Sequence, residues 1–385
     1  GLRRLAYSRT SRRARARSCS LSAHHRSLIA AAEFRSLCLN MPPVVPSSSS
    51  SDTGNRTVTL SNGVEMPTVG FGCAGYVRKP ALLEALAAGY RLFDTAQATE
   101  WYLEDELGAA LAEALHVNRS ELFLTSKLHP RDLGEQPTLD AFPRSLARLR
   151  TTYLDAFLLH YPACFGSLCA TPPAGTWRES WRALEALYDQ GRIRALGVSN
   201  FAPSQLRELL EWARVGPHLV QSWMDPLHQE RALRRLCAAH GVQFQAYSSL
   251  GTQHAGRTGG ANPVLKHPAV AALAEEAGRA PAQVVLRWAL QRGAAVIPRS
   301  TKPRHIAANR ALHDFSLTEA QLRAVDALDG QDPVAVLSGL PPLPCADENA
   351  GCAAWAEAGE CEANAAFMLV SCRGSCNACE AKVEL

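Results

Sequence analysis

From residue 57 onward the chain alternates two patterns. Short apolar or β-branched runs of the kind found in strands buried on both faces are separated by stretches whose apolar positions recur at helical spacing. The runs are "TVGFG" (68–72), "RLFDTA" (91–96), "LFLTSKL" (122–128), "AFLLHY" (156–161), "IRALGVSN" (193–200), "LVQSWM" (219–224), "VQFQAYSSL" (242–250) and "AAVIPRS" (294–300). Between them, "PALLEALAAG" carries Pro80 at a first-turn position, "TWRESWRALEALYDQG" ends at Gly191 and "APAQVVLRWALQRG" ends at Gly293, which are helix start and stop signals. Eight strand–helix units over about 260 residues predict an α/β fold, a (β/α)8 TIM barrel. An earlier segment, "TVTLSNGVEMP" with Asn62-Gly63 at its turn, predicts an N-terminal hairpin capping the bottom of that barrel.

Polar residues sharpen the expectation. Asp94, Lys127, His160, Asn200, Gln221, Tyr247 and Arg299 each fall at or near the end of a predicted strand, and in a barrel those ends share the face that carries catalytic loops. One such residue is ordinary turn chemistry, whereas seven of differing type in seven successive units point to a site. A competing signal is "GFGCAG", whose Gly70, Gly72 and Gly75 match the dinucleotide-binding G-x-G-x-x-G, with Asp94 roughly 20 residues on. In that motif the glycines open the helix, but here "YVRK" intervenes and Pro80 marks a later start, so the Rossmann reading is disfavoured.

Charge and cysteine usage divide the chain further. Residues 1–50 hold nine arginines against Glu33 alone, so with a formal net charge of +4 the remainder stands at −4. A mildly acidic folded part with no basic stripe argues against a nucleic-acid reader. Residues 1–54 read as an Arg/Ser-rich leader of transit-segment type followed by a flexible linker, with Met41 as an alternative start. No run reaches the roughly 20 apolar residues of a membrane span. Six of the twelve cysteines, Cys345, Cys352, Cys361, Cys372, Cys376 and Cys379, crowd into the last 41 residues, which reads as a disulfide-stapled module. Zinc is the alternative, prompted by Cys376-x-x-Cys379, but no His follows His313. The other six cysteines read as scattered, buried small apolar residues.

"GVEMPTVGFG", "GYRLFDTA", "LFLTSKL", "YLDAFLLHYP", "GRIRALGVSNF", "LVQS", "QAYSSLG" and "VIPRSTKPRHIAAN" together resemble the aldo-keto reductase family, in order, over residues 57 to about 330. The resemblance implies a (β/α)8 barrel over residues 55–332 that binds NADPH and reduces aldehydes and ketones. Its Asp, Tyr, Lys, His tetrad maps onto Asp94, a tyrosine in the following loop, Lys127 and His160. The chemistry is consistent: an alkoxide formed at a carbonyl needs a proton, and a tyrosine with a pKa of about 10 is a reluctant donor. An adjacent Lys127 ammonium is expected to lower that pKa, Asp94 to keep Lys127 charged, and His160 to polarise the carbonyl oxygen. The plainer alternative is an Asp94–Lys127 pair tying two strands together beside a core histidine.

The tyrosine is the open member. The family's D-T-A-x-x-Y-x-N-E places it five residues after the aspartate, where this chain has Thr99, and the loop from Asp94 to Gly108 is two residues longer. Counting back from Gly108 puts Trp101 at the tyrosine's place and Tyr102 one beyond. Indole N–H has no useful acidity, so Tyr102 is the expected donor, and a displaced tyrosine would leave an inactive site.

For the cofactor, the resemblance implies Ser199, Asn200 and Gln221 on the nicotinamide carboxamide, Tyr247 stacked on its ring, and Ser248, Leu250 and Thr252 along the pyrophosphate. It further implies Arg299, Ser300 and Thr301 at the adenosine 2′-phosphate, with Asn309 near the adenine; Arg299 replaces the usual lysine and keeps the charge. After a linker over 333–344, residues 345–379 resemble the ShK-toxin-like domain, on the spacing C-x6-C-x8-C-x10-C-x3-C-x2-C and the core "WAEAGEC". That resemblance implies Cys345–Cys379, Cys352–Cys372 and Cys361–Cys376 pairs and a possible protein partner for this module. Such bridges need an oxidising compartment, where the sequons at Asn55 and Asn118 would also matter, so a secretory or organelle lumen is favoured, with the cytoplasm as alternative. The expected activity is NADPH-dependent reduction of a small carbonyl compound. The rivals are an NADPH-binding regulatory protein with a weakened site and a carrier for the tail.

Overall fold

The computed structural model describes residues 56–75, 77–169, 171–337, 351–357 and Ser375. The leader, Asn55, Tyr76 and most of the cysteine-rich tail lie outside these residues.

The hairpin forms from β1 (Thr57–Thr59) and β2 (Glu65–Pro67), antiparallel, with Thr57 opposite Pro67. Eight strands follow: β3 (Phe71–Gly72), β4 (Leu92–Asp94), β5 (Phe123–Leu128), β6 (Leu154–Leu159), β7 (Ile193–Ser199), β8 (Leu219–Trp223), β9 (Gln243–Tyr247) and β10 (Ala295–Val296). Each is parallel to its neighbour in chain order. The two ends of the sheet also meet. Val69 bridges Val296 in parallel, Gly70 N–H donates to the Val296 carbonyl (2.8 Å) and Gly72 N–H to the Pro298 carbonyl (3.1 Å), so the sheet closes into a barrel. Closure explains part of the glycine-rich stretch. A Cβ on Gly72 would lie 2.6 Å from the Ile297 carbonyl oxygen, so glycine there lets the first strand reach the last. The following helix starts only at Lys79, with Pro80 in its first turn, which removes the Rossmann reading of "GFGCAG".

Two apolar layers hold the barrel. Inside, Leu92, Phe123, Ala156, Leu158, Ala195, Leu219, Ala295 and Ile297 pack with Leu60 and Met66 from the hairpin segment, which thereby plugs the end of the barrel. Outside, a larger cluster joins the sheet to the helices, including the fully buried Trp181 and Trp288. Their indole N–H groups donate to the Val215 carbonyl (3.2 Å) and Asp326 (2.8 Å), as buried polar atoms require.

Several boundaries differ from expectation. The last run pairs only through Ala295–Val296, because Pro298 has no N–H to add to the ladder. The linker expected from residue 333 begins as a one-turn helix, Pro333–Leu337: Asp332 Oδ1 accepts from Val334 N–H (2.9 Å), and Val336 packs against a small apolar cluster that includes Leu328 and Val285. In the tail, Cys352–Glu357 is helical and Cys352 is disulfide-bonded. The other cysteines of the expected pairs, Cys345, Cys361, Cys372, Cys376 and Cys379, lie outside the described residues. Asn118 is exposed, and its amide donates to Glu121 (2.7 Å).

Candidate active site

Strand ends bring the expected residues to one mouth. Asp94 closes β4 and Lys127 lies in β5, and Lys127 Nζ donates to Asp94 Oδ1 (2.6 Å) and to the Thr95 carbonyl (2.9 Å). Both side chains are buried, so each charge depends on the other. Gln221 Nε2 donates to Asp94 Oδ2 (2.7 Å) and to Gln245 Oε1 (2.7 Å). A carboxylate only accepts, so Asp94 fixes which way the Gln221 amide faces. Gln245 was not anticipated. It lies two residues before Tyr247 in β9, on the same strand face, and that period-2 relation is the sequence signal for it.

The aromatic question has a geometric answer. The longer loop turns Tyr102 inward: its ring centroid is 4.8 Å from Lys127 Nζ and 5.8 Å from the His160 ring. Trp101 sits nearer the rim, 37% exposed, 6.1 Å from the same imidazole. The electrostatics differ from expectation. Burial, then the Asp94 carboxylate, push the Tyr102 phenol well above the usual tyrosine range, and Arg299 pulls weakly the other way. The expected lowering by Lys127 is not found; that ammonium is matched by Asp94 and lies against the ring. Burial, Lys127 and His129 hold His160 well below the ordinary imidazole range, so it is neutral near pH 7. Its buried Nδ1 has no hydrogen-bond partner among the described residues.

The loop is pinned by residues that sequence reasoning missed. His129 Nδ1 accepts from Arg131 N–H (3.0 Å), which leaves the proton on Nε2, 3.2 Å from Glu100 Oε2. Glu100 immediately precedes Trp101 and Tyr102. Gly75 N–H donates to the Trp101 carbonyl (2.8 Å), tying the loop from its other side.

The expected cofactor residues are placed as follows. Asn200, at φ 61, donates to the His160 carbonyl (3.0 Å) and Ser199 Oγ (3.2 Å) and accepts from Tyr247 Oη (2.7 Å). Both Gln221 donors are used inside the barrel, which leaves its Oε1 for a ligand amide. Ser248, at φ 52, accepts from Gln253 Nε2 (3.1 Å), Leu250 packs beside Leu227 and Val264, and Thr252 is exposed. Ser300 Oγ accepts from Lys302 N–H (3.1 Å), Thr301 is exposed and Asn309 is buried on the helix Pro303–Arg310. Arg299 is half-buried and forms no ion pair with a carboxylate among the described residues. It stands over Gly75, where a Cβ would lie 2.7 Å from its Nη1. A desolvated guanidinium without a counter-ion, in a cradle that glycine keeps open, fits a phosphate group.

Residues 77–330 match the model of the aldo/keto reductase family. The chain belongs to this family. Among its relatives, glyoxal reductase of Bacillus subtilis is 36% identical over 282 residues, covering 72% of this chain and 94% of the relative. NADPH-dependent D-xylose reductase of Meyerozyma guilliermondii is 34% identical over 300 residues, 71% and 94% of the two chains. Among solved structures, an aldo-keto reductase of Bombyx mori in complex with NADP superposes with a TM-score of 0.66 at 28% identity, covering 74% of this chain and 97% of that one. An aldo/keto reductase from Brucella melitensis gives 0.63 at 34% identity, 71% and 99%. Residues 344–379 match the ShK domain-like family.

The aldo/keto reductase barrel carries one further correction. Cys164 and Cys169, read from sequence as small core residues, are disulfide-bonded across the loop after β6. Cys73 and Cys237 are free and buried, as expected. Among the described residues no group of His, Cys, Asp and Glu is arranged to hold a metal ion, and no helix is long and apolar enough to cross a membrane.

Proposed function

We propose that the protein is an NADPH-dependent carbonyl reductase with Tyr102 as proton donor. One observation carries the reading: at the mouth of a closed barrel, Lys127 is paired with Asp94 at 2.6 Å and lies 4.8 Å from the Tyr102 ring, which in turn packs 5.8 Å from His160. When bound, a nicotinamide cofactor would supply the hydride that reduces a carbonyl carbon. Tyr102, neutral at physiological pH, holds the proton that the developing alkoxide takes, and Lys127 steadies the phenolate left behind. Asp94 is the counter-ion of Lys127 in its buried position. The neutral His160 imidazole orients the carbonyl oxygen. Ser199, Gln221 and Tyr247 lie on the cofactor side, and Arg299 supplies the cation for the 2′-phosphate that distinguishes NADPH. The NADP complex of the silkworm relative and the NADPH-dependent yeast relative support this cofactor. Disulfides in both the barrel and the tail favour an oxidising compartment.

The raised Tyr102 pKa favours the second reading, a protein that holds NADPH but turns over poorly. Purified full-length chain with NADPH and benzaldehyde, followed by the loss of nicotinamide absorbance, separates the two. Turnover that falls about 10²- to 10⁴-fold in Tyr102→Phe, and less than tenfold in Trp101→Phe, is expected for the reductase. Tight NADPH binding with no turnover in the wild-type chain would overturn it.

A further inference from the structure

The loop after His160 is closed by a bond that the reductase chemistry does not require. Cys164 and Cys169 are both half-buried, with Cα atoms 6.0 Å apart, and the turn between them holds Phe165, Gly166 at φ 54 and the buried Leu168. Phe165, 52% exposed, meets Tyr161 edge-on with ring centroids 5.0 Å apart, and Tyr161 lies 4.8 Å from the His160 ring. Trp101 meets His160 as well. Two of the four large apolar side chains exposed among the described residues, Trp101 and Phe165, thus belong to one run of rings that passes through His160.

Exposed aromatic surface beside a polar site is what a flat apolar ligand would cover, and edge-on and offset ring contacts favour an aromatic one. Such a wall selects substrates only if its outermost ring is held in place. Phe165 sits in a loop whose Gly166 adopts a left-handed backbone, and the covalent closure across five residues restricts that loop before any ligand arrives.

We infer that the Cys164–Cys169 disulfide is a specificity clamp: it holds Phe165 against Tyr161 as the outer wall of the carbonyl pocket and biases the enzyme toward flat aromatic carbonyl compounds over small aliphatic ones. The inference rests on the reductase reading above for its substrate class. Cys164 and Cys169 act through Phe165 and are positioning residues.

The test compares 2-naphthaldehyde with propanal on the full chain, in the wild type, in Cys164→Ser/Cys169→Ser and in Phe165→Ala. In the cysteine variant the ratio of kcat/KM for the two aldehydes is expected to fall about tenfold in favour of propanal, carried by KM for naphthaldehyde with little change in kcat. Phe165→Ala, which retains the disulfide, is expected to lower the same ratio similarly. It decides the matter if the cysteine variant fails to fold. Incubation with dithiothreitol, which is oxidised to its cyclic disulfide as Cys164 and Cys169 become two thiols, should shift the ratio in the wild type and not in the cysteine variant. An equal loss on both aldehydes, or none, overturns the clamp. If the wild type reduces neither aldehyde, the reductase reading fails separately, and quenching of tryptophan fluorescence by 2-naphthaldehyde decides instead. A Kd about tenfold weaker in both variants sustains the clamp, and equal Kd values overturn it.

Discussion

Gln221 Nε2 lies 2.7 Å from Asp94 Oδ2, so the carboxylate that neutralises Lys127 with one oxygen is held by an amide through the other. Asp94 is thereby fixed from two strands. Gln221→Leu removes the donor and leaves Oδ2 unmatched in a buried site, which is expected to cost about 1–3 kcal/mol by chemical denaturation. Gln221→Glu is expected to cost more, since a second carboxylate would face Asp94 at hydrogen-bond distance.

Arg299 is the half-buried cation proposed to meet the 2′-phosphate. Arg299→Ala is expected to raise KM for NADPH by about 10- to 100-fold, the worth of one or two charge-assisted hydrogen bonds, and to change KM for NADH much less. Equal effects on both cofactors would show that Arg299 serves the fold instead.

His129 and Glu100 secure the loop that turns Tyr102 inward. His129→Phe deletes both the acceptor for Arg131 N–H and the donor to Glu100, and is expected to lower kcat about 10- to 100-fold through misplacement of Tyr102. The Kd for NADPH should stay within about twofold, because the ring's hydrogen bonds among the described residues go to Glu100 and Arg131 and not to the expected cofactor residues. A parallel loss of cofactor binding would indicate general disruption.

Burial holds His129, His160 and His218 below the ordinary imidazole range. Between those lowered values and about pH 6.5, the unfolded chain binds more protons than the folded one, so stability rises with pH in that window and falls as pH drops below about 6.5. His228, raised by its hydrogen bond to Glu230, acts in the pH window above that one: its stabilisation is full below about pH 6.5 and is lost as pH rises past it. His218 stands just before β8, at the strand end opposite the proposed chemistry, and accepts from Leu196 N–H through Nδ1 (3.0 Å). In His218→Gln the slope of unfolding free energy between pH 5.5 and 6.5 is expected to shrink by at most about 1.4 kcal/mol per pH unit, read from denaturation midpoints.

The catalytic unit is expected to end with the barrel. Deleting residues 341–385 should leave kcat and KM for benzaldehyde within about twofold, since Val336 is the last described residue packed on the barrel clusters.

Eight buried runs, three of the helices between them, the hairpin and seven polar residues at or near strand ends were legible in the sequence, because strand and helix periods are local and Pro80, Gly191 and Gly293 punctuate them. The tail's six cysteines were legible for the same reason: their spacing is itself the pattern. Side-chain acidity favoured Tyr102 over Trp101 in the sequence, but tertiary structure decided which aromatic of the lengthened loop enters the mouth, since an inserted loop has no period to fix its register. Only contacts across the fold, from His129 to Glu100 and from Gly75 to the Trp101 carbonyl, set that register. The Gln245 contact likewise depends on where separate strands meet in space, and the Cys164–Cys169 bond on the path of the loop after β6. So does the sign of the Tyr102 shift, because desolvation is a property of the whole packed site and of no single residue in it.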